Sequence, residues 1–342
     1  MAGRRLRTTV LGFLATFLVF GALFTFVGVD DLVATLSSAD TGVVALVVFV
    51  TVCWLAAWSM ALKVVLGVLG VDVPPHRAFL IFAGAMFSNN VTPFGQAGGE
   101  PVTALLISRV ADAEYETGLA AIASVDTLNF VPSISLALVG VGYFATETTL
   151  GRRLEVAAAA VVVLALLVPG LVYYGWRNRY GLEERAVARF TPAIRWVADK
   201  LPRTTPPSEA VVEERITGFF RSIERVATNR RGLALSLGFS ALGWGLQMVG
   251  LWLAFRAIGH SIPLSIALFV VPIGAIAGVT PLPGGAGGIE TVLVTLLALA
   301  TGPVIGLEVA TAAVVIYRGA VYWVPVLVGG AVMSVLTVRS RA

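Results

Sequence analysis

Six stretches of this chain stay apolar for twenty residues or more with at most two charges in each: residues 10–29, 42–69, 118–144, 154–174, 233–258 and 304–335. A helix needs about 20 such residues to cross a hydrocarbon core about 30 Å thick. The polar inventory agrees. Only 13% of the residues are charged and 57% are hydrophobic, with a mean hydropathy of +0.89. A soluble chain carries about 25% charged residues, so these acids and bases cannot coat a water-facing surface. Two histidines and one cysteine, Cys53, exclude a disulfide framework and a His/Cys metal cluster. No cofactor and no metal are expected. The expectation is a single integral membrane domain, residues 1–342.

The first apolar run follows Arg4, Arg5 and Arg7. It is longer than the apolar core of a secretory signal, about 7–15 residues, and Asp30 and Asp31 follow it without a small-residue cleavage site. Residues 8–29 therefore read as a retained first span with a cytoplasmic N-terminus. Two further apolar runs do not read as spans. Residues 78–109 and 264–300 are each broken near the middle by Pro and Gly. Each piece makes roughly 15–24 Å of helix, too short to cross. Two half-helices that enter and leave on one side satisfy both the length and the break, and protein must then bury them or they must line a cavity.

Charge tests this topology. With both hairpins re-entrant, the outer segments hold Arg152, Arg153 and Arg256, and Arg318 lies within a span; the other 20 of the 24 bases fall inside. That satisfies the positive-inside rule and places both termini in the cytoplasm of a multi-pass plasma-membrane protein. The same rule accounts for the basic pI, so no nucleic-acid partner is expected. Residues 177–231 hold 12 of the bases. Within them Val187, Phe190, Ile194 and Val197, then Val212, Ile216, Phe219, Phe220, Ile223 and Val226, recur at helical spacing. These segments read either as interfacial helices on anionic lipid headgroups or as helices packed beneath the spans.

A duplication organises the chain. Val91-Thr92-Pro93-Phe94-Gly95-Gln96-Ala97-Gly98-Gly99-Glu100 recurs as Val279-Thr280-Pro281-Leu282-Pro283-Gly284-Gly285-Ala286-Gly287-Gly288-Ile289-Glu290. Gly70 to Pro74 answers Gly259 to Pro263, Trp54 answers Trp244, and Phe130-Val131-Pro132 answers Trp323-Val324-Pro325. The copies cover residues 42–142 and 232–332. One span, 154–174, separates them, so the second copy starts on the opposite side. The expected fold is an all-α polytopic membrane protein of six full transmembrane helices plus two re-entrant hairpins, arranged as inverted-topology repeats. Inverted repeats with broken helices are the architecture of alternating-access transporters.

Ionisable groups at bilayer depth cost several kcal/mol, so each one needs a reason. Glu100 and Glu290 follow the glycine-rich tips, where a carboxylate either caps a helix or serves a ligand. Gly98, Gly99, Gly284, Gly285, Gly287 and Gly288 would let backbone N–H groups face an anion. Asp126 and Arg318 occupy matching places in the repeat and bear opposite charges. They form either an inter-repeat salt bridge or a site in which Arg318 binds an anionic headgroup and Asp126 holds it or shuttles a proton. Asn129 shares a face with Asp126, as Tyr322 does with Arg318. Asn89 and Asn90 precede the first tip and either line a cavity or cap the half-helix. Glu100, Glu290 and Asp126 are the candidates for proton coupling. His76 and His260 fall in loops and read as exposed.

The Asn89-Asn90, Thr92-Pro93 and Gly99-Glu100 element, with Pro283-Gly284-Gly285-Ala286-Gly287-Gly288-Ile289-Glu290, resembles the flippase-like family that supplies the transmembrane region of lysylphosphatidylglycerol synthases. The resemblance covers about residues 8–338. It implies movement of lipids between leaflets, either aminoacylated phospholipids or polyprenyl-phosphate sugars, with Glu100, Glu290 and the neighbouring glycines central. The soluble lysine-transferring domain of those synthases has no counterpart here, so synthase activity is not implied. The expected function is a flippase for an anionic lipid or lipid-linked sugar. An integral-membrane enzyme on a lipid-linked substrate, and an accessory subunit of a separate synthase, are the alternatives.

Overall fold

The computed structural model describes residues 28–92, 96–147, 152–199, 208–279 and 282–339, together with Gly21 and Thr25. Among them every regular element is a helix. A short α1 (Val29–Ser37) leads into α2 (Thr41–Val68), α3 (Pro75–Val91), α4 (Gln96–Ala111) and α5 (Tyr115–Glu147). Then come α6 (Arg152–Arg177), α7 (Arg179–Asp199) and α8 (Glu209–Thr228). The chain continues through α9 (Arg230–Ala257), α10 (Leu264–Ile276), α11 (Gly288–Thr301) and α12 (Leu307–Arg339).

Six segments are long and apolar enough to cross a membrane: Thr41–Val68, Tyr115–Thr146, Ala158–Arg177, Arg230–Ala257, Pro283–Thr301 and Leu307–Val335. Five coincide with expected spans. The expected first span, 8–29, lies outside the described residues except near its end. Pro283–Thr301 falls in the expected second hairpin and reaches its 19 residues only by including a 3-10 turn, Pro283–Gly285. Its α-helical part has 14 residues, roughly 21 Å. The other hairpin helices are short as well: 17 residues in α3, 16 in α4 and 13 in α10.

The sequence duplication returns as local geometry. Asp40 Oδ1 caps α2 by accepting from the Gly42 and Val43 amides at 2.8 and 3.0 Å, and Asn229 Oδ1 caps α9 by accepting from Gly232 N at 2.8 Å. Each satisfies amides that a helix start leaves unpaired. The ends match too. Val71 N donates to Leu66 O and His260 N donates to Phe255 O, both at 2.9 Å, around Gly70 (φ +87) and Gly259 (φ +75). This is the Schellman closure, in which a left-handed residue without Cβ ends the helix. Pro75 then opens α3, and Pro263 precedes α10.

Packing follows the same correspondence. α2 runs along α9 at the centre. α3 packs on α12 while α10 packs on α5; α3 pairs with α4 as α10 does with α11, and α4 leans on α5 as α11 leans on α12. Lipid tails are as apolar as these side chains, so helix association rests on close packing and hydrogen bonds. At the α2–α9 seam Trp58 sits edge-on to Trp54, Trp244 and Phe82, with ring centroids 5.3, 5.5 and 6.3 Å away. Edge-to-face pairs contribute about 0.5–1.5 kcal/mol each. Trp58 Nε1 also donates to Ser240 O at 3.2 Å across the seam.

The two helices of residues 177–231 differ in what they touch. α8 packs on α5, with contacts to α2 and α9, and buries Val212, Ser222 and Val226. It is held against the long helices by this apolar face. α7 touches α8, where Arg179 pairs with Glu224 at 3.1 Å, and leaves Phe190, Ile194 and Trp196 exposed. α6 is a peripheral span with Leu166 73% exposed. His76 and His260 are exposed, as expected.

Candidate functional site

The second half-site forms where the chain turns between α10 and α11. Gly284, Gly285 and Gly287 take φ of +58, +65 and +90, a region in which a Cβ is strained. These turns bring Glu290, in the first turn of α11, back toward the tip. Its Oε2 accepts from Gly287 N at 2.6 Å, and its Oε1 takes Nε of Arg318 from α12 at 2.7 Å. Arg318 Nη2 also donates to Gly284 O at 3.2 Å. Both side chains are buried, 3% exposed for Glu290 and 9% for Arg318. Glu290 is thus a helix cap with one oxygen and an ion-pair partner with the other. A buried pair with remaining lone pairs satisfied is the arrangement in which desolvation is offset.

One turn further along α12, Tyr322 joins this tip to the first half. Its OH donates to Asn90 O at 3.1 Å, and Asn90 Nδ2 donates to Tyr322 O at 3.3 Å. Gly284 sits between them. A Cβ there would meet Tyr322 Cε2 at 2.7 Å and Asn90 Oδ1 at 2.9 Å.

The first half-site is built alike and charged differently. Glu100 is the fifth residue of α4, past its first turn, and α4 packs on α5, which carries Asp126. Asp126 Oδ2 is buried with no donor against it. Asn89, 7% exposed, turns its carboxamide onto Gly99, and its Oδ1 has no donor. A Cβ on Gly99 would meet that oxygen at 1.8 Å. The tip residues 93–95 lie outside the described residues, as do Thr280 and Pro281. Gly98 lies in α4.

Of the two readings of Asp126 and Arg318, the salt bridge between them is not formed. Arg318 instead engages Glu290 of its own half, because α12 lies against α11, while Asp126 stands on α5, which lies against α4. Asn129 also departs from expectation. Its Oδ1 accepts from Ser240 Oγ and its carbonyl accepts from Trp244 Nε1 at 3.1 Å, so it ties α5 to α9. Gly285 packs on Gly278 and Ile289, and Gly288 opens α11. The consecutive residues Asn89 and Asn90 bring the two half-sites together: the first faces Gly99 and the second faces Gly284. Their Cα atoms lie about 3.8 Å apart, so both tips converge on the end of α3.

Ser236 and Ser240, both 1% exposed, and Gln247, whose Oε1 accepts from Tyr317 OH at 3.1 Å, add polar groups to α9 beyond those expected. Their signal in the sequence is a stripe: Ser236, Ser240 and Trp244 recur every four residues in an apolar run.

Residues 9–329 match the family described as the lysylphosphatidylglycerol synthase TM region. A UPF0104 membrane protein of Methanothermobacter thermautotrophicus is 28% identical, over 94% of this chain and 92% of its own length. UPF0104 membrane proteins of Pyrococcus horikoshii and Methanocaldococcus jannaschii are 23% and 22% identical, each over more than nine-tenths of both chains. With six apolar helices of spanning length and membrane-protein relatives matched almost end to end, this is a multi-pass membrane protein, and it belongs to the family of the lysylphosphatidylglycerol synthase transmembrane region.

Proposed function

We propose that the protein is a lipid flippase that moves an anionic lipid, or a polyprenyl-phosphate-linked sugar, between leaflets by alternating access. In this reading α3–α4 and α10–α11 are re-entrant hairpins of two inverted repeats, in a plasma-membrane protein with both termini cytoplasmic. The half-helices support it by their length, since about 20 residues are needed to span. The matched packing of α3 on α12 and of α10 on α5 supports the repeats. The observation that carries the reading is the convergence of both glycine-rich tips on Asn89 and Asn90. Broken helices meeting at a repeat interface form the midplane site of such transporters. Arg318 offers its remaining guanidinium N–H groups to a phosphate oxygen, a geometry for which Arg is suited. The lipid tails stay in the bilayer while the headgroup passes the tips. Such a protein is a carrier rather than an enzyme, and the exposed apolar face of α7, flanked by arginines, rests on anionic headgroups at the cytoplasmic surface.

Reconstitution tests this. Proteoliposomes of the purified full chain, carrying a headgroup-labelled phospholipid or polyprenyl phosphate, should lose inner-leaflet label to a membrane-impermeant quencher faster than empty liposomes. The rate should fall in Asn90→Ala and in Arg318→Lys. Movement no faster than in empty liposomes sinks the carrier reading and favours an accessory subunit.

A further inference from the structure

We infer that Asn90 and Tyr322 form a latch that holds the second tip closed on Arg318. A phosphate oxyanion opens it by taking the hydrogen bonds that the latch spends on main-chain carbonyls. The latch rests on the carrier reading for its use, but its structural basis is separate. Three side-chain donors surround Gly284, and each serves a backbone oxygen. Arg318 Nη2 donates to Gly284 O at 3.2 Å, Tyr322 OH to Asn90 O at 3.1 Å, and Asn90 Nδ2 to Tyr322 O at 3.3 Å. The last two run in opposite directions between the same residues, so they close a ring that joins the end of α3 to α12.

Gly284 lies in the slot between the two latch residues. A Cβ there would meet Tyr322 Cε2 at 2.7 Å, Asn90 Oδ1 at 2.9 Å and Asn90 Cα at 3.2 Å. While Gly284 keeps that seat, its carbonyl occupies an N–H of Arg318, whose Nε is on Glu290. An incoming oxygen gains that N–H only when Gly284 O leaves it, and Gly284 leaves only when Asn90 or Tyr322 gives way. The latch is also one-sided. Gly278 stands before Val279 where Asn90 stands before Val91, and a glycine has no carboxamide to offer. Asn129 stands where Tyr322 does, three residues before the proline inside its long helix. Its carbonyl likewise accepts a side-chain donor, but the donor is Trp244 Nε1 of α9, at 3.1 Å. One carbonyl is thus tied to a long helix and the other to the end of a half-helix, which a moving tip can release.

The donors name the ligand class. An ionised oxygen accepts a hydrogen bond more strongly than a neutral carbonyl does, so an oxyanion competes for N–H and O–H groups that now serve carbonyls. A phosphate carries several such oxygens on one atom. It can therefore hold Arg318, Tyr322 and Asn90 together where three separate carbonyls hold them in the latched state. A phosphate-bearing lipid headgroup and free phosphate share this chemistry.

Thiol labelling of Ala286→Cys tests the latch. Ala286 lies two residues past Gly284, 8% exposed and in an extended conformation. The purified full chain carries this change with Cys53→Ser, in a phosphate-free maltoside detergent, and a charged maleimide reads how often the tip opens. Tyr322→Phe and Asn90→Ala each remove one bond of the ring and should speed labelling roughly 2- to 10-fold, the range that one net hydrogen bond supports. Ser240→Ala removes the bond to Asn129 without touching the tip, and should leave the rate unchanged. Dioleoyl phosphatidate should speed labelling of the parent chain, dioleoylglycerol should not, and this arm needs no latch variant to fold. Both results are expected; phosphatidate acting alone names a lipid headgroup as the ligand, and inorganic phosphate acting equally well names the free ion. An unchanged rate in both latch variants, an equal rise in Ser240→Ala, or no rise with either phosphate overturns the inference. Lipid movement in proteoliposomes without these labelling responses overturns the latch and leaves the carrier standing. The responses without movement do the reverse.

Discussion

Glu290 and Glu100 each follow a glycine-rich stretch, Glu290 in the first turn of α11 and Glu100 as the fifth residue of α4, and the long helix that follows each one carries a different charge. In the second half the partner is Arg318, and the carboxylate is closed on both oxygens at 2.6 and 2.7 Å. In the first half the long helix carries Asp126, another acid, whose buried Oδ2 has no donor. The second half thus carries a closed ion pair, and the first a buried acid without a donor. The backbone symmetry sets where the groups stand; a single sign of charge sets what they do.

The largest effect should come from opening the closed half. Arg318→Met leaves Glu290 buried and unpaired, and breaking such a pair costs about 3–5 kcal/mol. Denaturant titration of the purified protein in mixed micelles should show that loss. The paired variant Glu290→Gln/Arg318→Met should recover most of it, because no charge is then left stranded. If the single variant is as stable as wild type, the pair is not closed and the contrast between the halves collapses.

Gly284→Ala comes next. A Cβ at φ +58 costs about 1–3 kcal/mol, and here it also meets Tyr322 and Asn90 at 2.7 and 2.9 Å. Adding Asn90→Ala should not restore stability, because the backbone conformation remains strained. Full recovery would mean the tip is set by side-chain packing alone.

The open half should respond with the opposite sign. Asp126→Asn replaces a buried carboxyl whose Oδ2 has no donor with a neutral amide, so the protein is expected to gain about 1 kcal/mol, the low end of what an unsatisfied buried acceptor costs. The same denaturant titration checks it. A loss of the size seen for Arg318→Met would show that Asp126 is held by a cation, and would bring the two halves back to one pattern.

How far this contrast could be read beforehand depends on the range of each signal. The spans are local, written in runs of apolar residues, and they returned in the structure as α2, α5, α6, α9 and α12. The partner of Arg318 was not legible. Helical spacing places Asp126 on a face of α5 but does not say whether α4, α9 or α12 covers that face, and opposite charges at matching repeat positions invite the wrong pair. Asn129 was misread for the same reason. It shares a stripe with Asp126, but α9 covers it through Ser240 and Trp244. The amphipathic pattern of α8 likewise has an apolar face whether protein or lipid lies beneath it.

The smallest expected effects concern the bonds that reach from each half into the other. Tyr322 stands four residues after Arg318 and donates to Asn90 O; Asn129 stands three after Asp126 and accepts from Ser240. Removing one hydroxyl from a hydrogen bond of this kind costs about 0.5–1.5 kcal/mol. Tyr322→Phe and Ser240→Ala should each fall in that range, and neither should leave a charge behind. The two bonds share no residue, joining α12 to α3 in one case and α9 to α5 in the other. Independent sites add within about 0.3–0.5 kcal/mol, so the double variant should lose the sum of the two. A double variant that loses much more would mean the cross-bonds form one cooperative clamp between the halves. Reorientation of one half against the other would then have to break both together, and the lipid-movement rate of each single variant should rise as much as that of the double.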